Sequence, residues 1–599
     1  MPWSRNNGGT ACFQKFPRTE GDQLEHTPGT IILALENVGL VITLTIYGGL
    51  DMKKLLIPLV FLAGLLLYLL WPFSKHEWDI RFDQEMIHYK KRYLEQLSAS
   101  RSAENQTLSS LPWEREQPNI LLITADDLGI MDVSLYGGEV IDTPHIDSIG
   151  EGGVVFSEGF ATASICCPSR AALLTGRDQN RFGFTCHMID VYLRNRLTYF
   201  FAQTFIDTDA MSPVYRTSVP RRSETHKQGV PPSEITLGEL LQSTGYHTAM
   251  IGKWHLGYDE MHHPNRRGFD YQYGFMEAFS LYAEESRPDI VNYKHDLFWE
   301  KHIWRSGRSG PSAITRNGRR IEEAEYLTDA IARESVDFIR SHVTERGGEP
   351  FFLYTSFSAP HTPFQATEEY YRRFSHIENP AQRVYCAMVA QLDDAVGEIL
   401  EVLEELDVAE NTLIMFCSDN GGAEYTEGTD NDPYRGGKMT HFDGGLKVPF
   451  LMRWDGVIPA GTRLDDPVIQ TDLFVSAVAA AGLPLPEDRI YDGVDLLPFV
   501  LGRQAGAPHE RLHWKSIYAS IVRQDRWKLI VNHRQNTIRL YDLETDRGEL
   551  RNIADEQSET VRQLLEEIRI WEEQLSPPLW PNLMEVRWEI DGEEIIFGI

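Results

Sequence analysis

Cysteine is scarce in this chain, six in 599 residues, at positions 12, 166, 167, 186, 386 and 417. That excludes a dense disulfide framework and leaves one or two bridges open. Cations are short as well: 57 Lys plus Arg stand against 88 Asp plus Glu, a formal net charge of -31. A surface that acidic repels a phosphate backbone at long range and excludes general nucleic-acid binding. An anionic substrate would therefore need a pocket that is positive against the field of the whole molecule. Internal repeats and low-complexity tracts are also missing. What is present is 42% hydrophobic and 11% aromatic residues, enough to bury a core, in a length that suits a large catalytic domain plus a smaller one.

One long apolar run stands out. Residues 55–73 carry no charge and follow Met52, Lys53 and Lys54 directly, which reads as a signal peptide or signal anchor over residues 52–74. The bulky Trp71-Pro72-Phe73 offers no small-x-small cleavage site and favours an uncleaved anchor. The paired lysines hold the N-terminus in the cytoplasm, so the rest is expected to be exported, periplasmic or at the cell surface. Such signals begin a natural chain, so Met52 reads as the start and residues 1–51 as a non-native upstream extension.

Residues 75–117 are polar and charged with scattered apolar positions and read as a helical stalk acting as a spacer. From residue 118 to 504 short apolar runs alternate with helical patterns. Asn119 to Thr124, Thr248 to Gly252, Phe351 to Ser356 and Thr412 to Cys417 read as buried strands, and Tyr385 to Leu406 as a helix whose Met388, Leu392, Val396, Ile399, Leu400 and Leu403 face a sheet. This predicts an α/β domain with a large mixed, mostly parallel sheet flanked by helices. Residues 505–599 read as a smaller α+β domain, with strands at Ile517 to Arg523, Trp527 to Asn532 and Ile538 to Leu543 and a helix from Glu559 to Leu575.

Asp126 and Asp127 directly follow the first apolar strand, at the sheet edge where open α/β folds place ligands. Adjacent carboxylates repel each other, and a hard divalent cation resolves that repulsion. Asp419 and Asn420, after another apolar strand, supply matching oxygens. Cys166-Cys167-Pro168-Ser169-Arg170 leads into a helical stretch in which Pro168 suits the first turn, placing the cysteines just ahead of a helix N-terminus that favours an anion. On residue chemistry alone, either cysteine is an activated nucleophile or the two are a buried pair. Lys253 and His255 flank Trp254 beyond one strand, His361 follows another strand and Lys438 lies in Arg435-Gly-Gly-Lys438; each alone is an ordinary surface or core residue, but together they would supply the positive pocket.

The run C-x-P-S-R-x-x-L-x-T-G-R from Cys166 to Arg177 resembles the signature of the formylglycine-dependent type I sulfatases, of the alkaline phosphatase-like superfamily. Gly252-Lys-Trp-His-Leu-Gly257, Arg267-Gly-Phe-Asp270, Ala359-Pro-His-Thr-Pro363, Ser418-Asp-Asn-Gly421 and Leu540-Tyr-Asp-Leu543 carry the resemblance across roughly residues 119–575. It implies that Cys166 is matured to formylglycine by a formylglycine-generating enzyme, and that Asp126, Asp127, Asp419 and Asn420, with residue 166 itself, hold one Ca2+. It further implies that Arg170 holds the hydrated aldehyde, Lys253 and Lys438 bind sulfate, His361 with Lys438 assists the leaving oxygen, and His255 takes a proton from the diol. The implied reaction is attack of one diol hydroxyl on sulfur, a covalent sulfo-enzyme, and expulsion of sulfate as the second hydroxyl loses its proton.

The expected substrate is a sulfated polysaccharide or oligosaccharide; the alternative within the superfamily is phosphodiester or phosphonate monoester hydrolysis, and a non-catalytic carbohydrate-binding role is argued against by the filled catalytic positions. Two departures from the pattern matter. Asp443 stands where relatives commonly carry Glu, and residues 191–230 form a longer stretch than usual. That stretch holds Arg194, Arg196, Arg216, Arg221, Arg222 and Lys227 against Asp207, Asp209 and Glu224, with Tyr192, Tyr199, Phe200 and Phe201. It is either a solvated loop or a contact surface for an anionic sugar chain.

Overall fold

The computed structural model describes residues 29–35, 40–46, 62–66, 68–70, 78–104, 117–188, 195–205, 211–214, 216, 218–220 and 222–599. The chain divides into two compact units, Met1–Trp71 and Pro72–Ile599. In the first, Gly29–Leu35 pairs antiparallel with Leu40–Ile46. Most of the apolar run at 55–73 lies outside the described residues; its residues 62–66 and 68–70 are helical. No helix among the described residues is long and apolar enough to cross a membrane.

The second unit opens with helix α1 (Gln84–Glu104). The expected helix is there, but the expectation of a spacer is corrected, because the helix is docked on the body. Lys90 is buried, and its Nζ lies 2.5 Å from Glu239 Oε1 and 2.7 Å from the Glu234 carbonyl oxygen. Burial draws its ammonium down to about 8 despite Glu239. Trp78, Phe82, Tyr93, Leu94 and Leu97 pack on the apolar core, so the scattered apolar residues of this segment form a docking stripe.

The remaining elements, in chain order, are β1 (Asn119–Asp126), β2 (Val154–Phe156), α2 (Cys166–Thr175), β3 (Met211–Pro213), β4 (His247–Lys253), β5 (Tyr271–Phe275), β6 (Thr315–Arg316), β7 (Arg319–Arg320), α3 (Leu327–Arg346), β8 (Phe351–Pro360), α4 (Pro380–Glu405), β9 (Thr412–Ser418), β10 (Phe450–Arg453), β11 (Thr462–Leu464) and α5 (Thr471–Ala480). Then come β12 (Arg511–Lys515), β13 (Ala519–Gln524), β14 (Trp527–Asn532), β15 (Thr537–Asp542), α6 (Ser558–Glu572), β16 (Met584–Ile590) and β17 (Glu593–Gly598).

Ten strands form one sheet in the order β7-β6-β5-β4-β8-β1-β9-β10-β2-β11. Its centre, β5 to β9, is parallel, as the uninterrupted apolar runs require of strands covered on both faces. Alternation within β1 shows both faces at work: Leu121, Ile123 and Ala125 join one core cluster, Ile120 and Leu122 the other. Helix α4 lies on the first face with all six expected positions buried. It begins at Pro380, with Asn379 Oδ1 accepting from the Ala381 and Gln382 amides at 2.9 and 3.3 Å, a start that the run from Tyr385 alone does not reveal.

The smaller C-terminal sheet, β12-β13-β14-β15, carries α6. Strand β12 and the final hairpin β16–β17 were not foreseen. That hairpin takes β3, from the long stretch at 191–230, as a third strand, with Met584 opposite Pro213 and Val586 opposite Met211. The stretch is therefore not a solvated loop throughout, since it also contains a helix, Arg196–Phe205. Cys166, Cys167, Cys186, Cys386 and Cys417 are free and buried, so the possible bridges do not form among the described residues; Cys12 lies outside them.

Candidate active site

The parallel strands bring four chain segments to one edge. Ser418 pairs with Ala125, Pro360 with Asp126, and Gly252 with Ser356, so the residues just beyond β1, β4, β8 and β9 converge. The approach is close enough that a Cβ on Gly252 would stand 1.8 Å from the Ser356 carbonyl oxygen, and its φ is +117; only glycine fits there. Asp127 and His255 hold left-handed backbone, φ 64 and 56, a conformation costing roughly 1–3 kcal/mol that clusters at functional sites.

Helix α2 delivers Cys166 and Arg170, one turn apart on the same face. Cys166 is the first helical residue, with Ile165 as N-cap, so it sits inside the first turn rather than ahead of it. The whole helix is buried. Burial pushes the Cys166 thiol up to about 12, only partly offset by Lys253 and Lys438. An unmodified cysteine there is a neutral thiol, a poor nucleophile at physiological pH.

Around it the charges interlock. Lys253 Nζ lies 2.5 Å from Asp126 Oδ2. Lys438 Nζ lies 2.9 Å from Asp127 Oδ2, and His361 Nε2 lies 3.7 Å from the same oxygen. Arg170 Nε donates to Asp419 Oδ2 at 2.7 Å, and its Nη1 to Ser356 Oγ at 2.5 Å. Asn420 Nδ2 donates to Asp127 Oδ1 at 2.7 Å. Burial raises the Asp127 carboxyl, but Lys438 and His361 outweigh it and hold the group below the usual range. Asp419 goes the other way, because its burial exceeds the pull of Arg170. Lys438, buried but facing Asp127, is held well above an ordinary lysine. Burial and Lys438 push His361 well below the ordinary histidine value.

Asp126, Asp127, Cys166 and His361 offer ligand atoms within 4.8 Å of one another. Asp126 Oδ1 and Asn420 Oδ1 are buried without a hydrogen-bond partner. Orphaned oxygens beside clustered carboxylates fit a hard divalent cation, which takes oxygen ligands and compensates their charge. Every site residue expected from sequence thus lies at this edge. His255 is set apart in one respect: its nearest ring is His187, with centroids 4.6 Å apart.

Sequence reasoning missed Ser356, Gln470 and His187. Ser356 Oγ, besides receiving Arg170, donates to the Lys253 carbonyl at 2.7 Å. Ser356 lies in the middle of β8 between Thr355 and Ser358, and a cluster of hydroxyls within that buried strand was the available signal. Gln470 Nε2 donates to the Ser418 carbonyl at 2.7 Å, and its Oε1 lies 2.5 Å from Ser169 Oγ, tying helix α2 to the Asp419 loop; a lone Gln at a helix start gives no such hint. The Asp443 substitution has a structural role: its Oδ1 lies 2.6 Å from buried Lys528 Nζ in β14, which also lies 2.8 Å from Glu549. The adjoining Gly444 amide donates to the Arg435 carbonyl at 2.9 Å, and the Gly445 carbonyl accepts from Gly421 at 3.0 Å. The C-terminal sheet therefore props the loops that carry Lys438 and Asn420.

The Sulfatase family profile matches residues 118–483, and that of the N-sulphoglucosamine sulphohydrolase C-terminal region matches residues 437–574. The chain is 34% identical over 393 residues to the N-acetylgalactosamine-6-sulfatase of Canis lupus familiaris, covering 65% of this chain and 67% of that protein. It is 31% identical over 477 residues to the steryl-sulfatase of Homo sapiens, covering 69% and 75%. Among solved structures, Ps i-CgsB in complex with k-i-k-neocarrahexaose superposes with a TM-score of 0.64 at 30% identity, covering 78% of this chain and 95% of that one. With a profile spanning most of the large sheet and relatives of this similarity, the chain belongs to the sulfatase family.

Proposed function

We propose that this sulfatase hydrolyses sulfate esters of a carbohydrate at the edge formed by β1, β4, β8 and β9, with residue 166 as the nucleophile. The observation that carries the reading is a buried Cys166 beside Asp126 and Asp127, ringed by Lys253, Lys438 and His361. Asp126, Asp127, Asp419 and Asn420 would hold Ca2+, which supplies Lewis-acid stabilisation of sulfate oxygens. Cys166 matured to formylglycine supplies a geminal hydroxyl, which its buried thiol cannot replace.

The chain's own groups do the rest. Lys253 and Lys438 grip the oxygens of a tetrahedral anion, and meet the demand for a positive pocket in a molecule of charge -31. Arg170, locked between Asp419 and Ser356, orients residue 166. His361 Nδ1 donates to the Thr362 carbonyl at 2.6 Å, so Nε2 carries a proton to the leaving oxygen only when the ring is cationic. Burial and Lys438 oppose that state, and a bound sulfate beside it restores it. His255, buried with both ring nitrogens unpartnered, accepts the proton that ends the cycle.

A saccharide substrate is supported by the amino-sugar and carrageenan oligosaccharides in the names of the relatives, and by Phe200 and Phe201, which stand 58% and 48% exposed on the helix of the 191–230 stretch. Export and anchoring through residues 55–73, and maturation by a separate enzyme, rest on sequence and complete the proposal. The test is sulfate release from defined sulfated saccharides by enzyme whose residue 166 has been identified by mass spectrometry, alongside phosphate monoesters and diesters. Release from a saccharide, dependent on conversion of Cys166, supports the reading; turnover of phosphate esters alone overturns it.

A further inference from the structure

A second group of ligand atoms lies behind the nucleophile, and the catalytic roles above leave two of its three members unused. Cys167, His187 and His255 each offer one ligand atom, all within 4.8 Å of one another. They come from three places: the first turn of α2, the loop after Phe184, and the left-handed residue beyond β4. Cys167 and His255 are fully buried, and His187 is half-buried. His187 Nδ1 lies 2.9 Å from the Met188 carbonyl oxygen, so Nδ1 carries the hydrogen and Nε2 keeps a free lone pair, the arrangement that orients metal-binding imidazoles. Both nitrogens of His255 are buried without partners, a state that buried polar groups rarely keep.

A thiolate with two imidazoles is the donor set of zinc and its neighbours, with a fourth position open, whereas calcium prefers the carboxylates alongside. We propose that Cys167, His187 and His255 form a transition-metal site for Zn2+, distinct from the carboxylate cluster, and that its occupation holds the enzyme inactive. On binding, the Cys167 proton leaves to solvent and the thiolate and the two imidazole lone pairs form the metal bonds. A ring nitrogen of His255 so engaged no longer accepts the proton from residue 166. This inhibitory consequence rests on the function proposed above; the metal site itself does not.

The test is titration of mature enzyme, converted at residue 166 and loaded with calcium, with Co2+ as a spectroscopic stand-in for Zn2+. One equivalent should give a thiolate-to-cobalt charge-transfer band and tetrahedral d–d absorption. Cys167→Ala should abolish the charge-transfer band, and His187→Ala should weaken binding by about tenfold or more. Zn2+ should inhibit the parent enzyme, and Cys167→Ala, which keeps its basal turnover, should need at least about tenfold more. An unchanged cobalt spectrum in Cys167→Ala, or no tetrahedral spectrum in the parent, overturns the site. Because the spectrum is read without turnover, failure of the sulfate-ester assay leaves this result standing, and the reverse also holds.

Discussion

Replacing Lys528 by Met should show how strongly the C-terminal sheet supports the active site. Lys528, Asp443 and Glu549 expose 0%, 5% and 0% of their side chains, and the ammonium lies 2.6 and 2.8 Å from the two carboxylates. At such separations each contact is worth about 6 kcal/mol of Coulomb attraction at an effective dielectric of about 20, most of it offset by desolvation. Removing one partner is not offset, because two buried carboxylates lose their directly paired cation, Asp443 keeping only Arg523 and Lys447 and Glu549 losing the one cation that opposes its burial. The expected loss is about 3–5 kcal/mol, two to four orders of magnitude in the folding equilibrium and a large share of a typical domain's stability. Burial already pushes Glu549 up to about 7 although Lys528 opposes it. A carboxyl raised in the folded state penalises folding as pH climbs from its unfolded value near 4.3 through 7. The deficit of Lys528→Met should therefore shrink as pH falls from 8 to 5. Urea midpoints followed by tryptophan fluorescence measure this, and adding Asp443→Asn and Glu549→Gln should recover most of the loss. A Lys528→Met protein within about 1 kcal/mol of the parent at pH 8 would refute the reasoning.

Cys166→Ala should abolish sulfate release while leaving the urea midpoint within about 1 kcal/mol of the parent, read by paired activity and unfolding measurements; full turnover in that variant removes residue 166 from the chemistry. Chelation should inactivate the enzyme, and Ca2+ should restore it; Asn420→Ala, which deletes one of the orphaned oxygens, should raise the Ca2+ needed for half-recovery about 10-fold or more. His509 Nε2 lies 2.8 Å from buried Asp472, and the pull of that carboxylate exceeds the effect of burial and raises the histidine. Its contribution is full below about 6.5 and is lost as pH rises through the raised folded value. His509→Gln should flatten the stability profile over that window, which thermal melts across pH will test.

The central sheet was legible because parallel strands covered on both faces leave plain apolar runs, and Asn119 to Thr124 and Thr412 to Cys417 came within two residues of the observed strands. The candidate site residues were legible as a group because their motifs sit directly beyond those strands, where the topology gathers them. Support residues were not. Ser356 and Gln470 act through backbone contacts between segments far apart in sequence, which no local pattern encodes. The partnership of β3 with β16 joins residues 211–213 to 584–586; Met584–Ile590 alternates apolar and polar cleanly, but the three residues Met-Ser-Pro of β3 are too few to show a period, and nothing local names the pairing. The α1 segment misled for a related reason: its mixed polarity suits either a spacer or a docked helix, and only the pocket for Lys90 decides between them.

In the protein alone, Asp126, Asp127 and Asp419 already have Lys253, Lys438 and Arg170 as counter-charges. Any ion that claims these carboxylates competes with the ammonium groups for them, and in winning frees Lys253 and Lys438 to face an incoming ester. Cation loading and anion affinity then become thermodynamically linked, each strengthening the other by the same factor. If a cation binds these carboxylates as proposed, the ion pairs of the unloaded protein would make sulfate affinity depend on that loading.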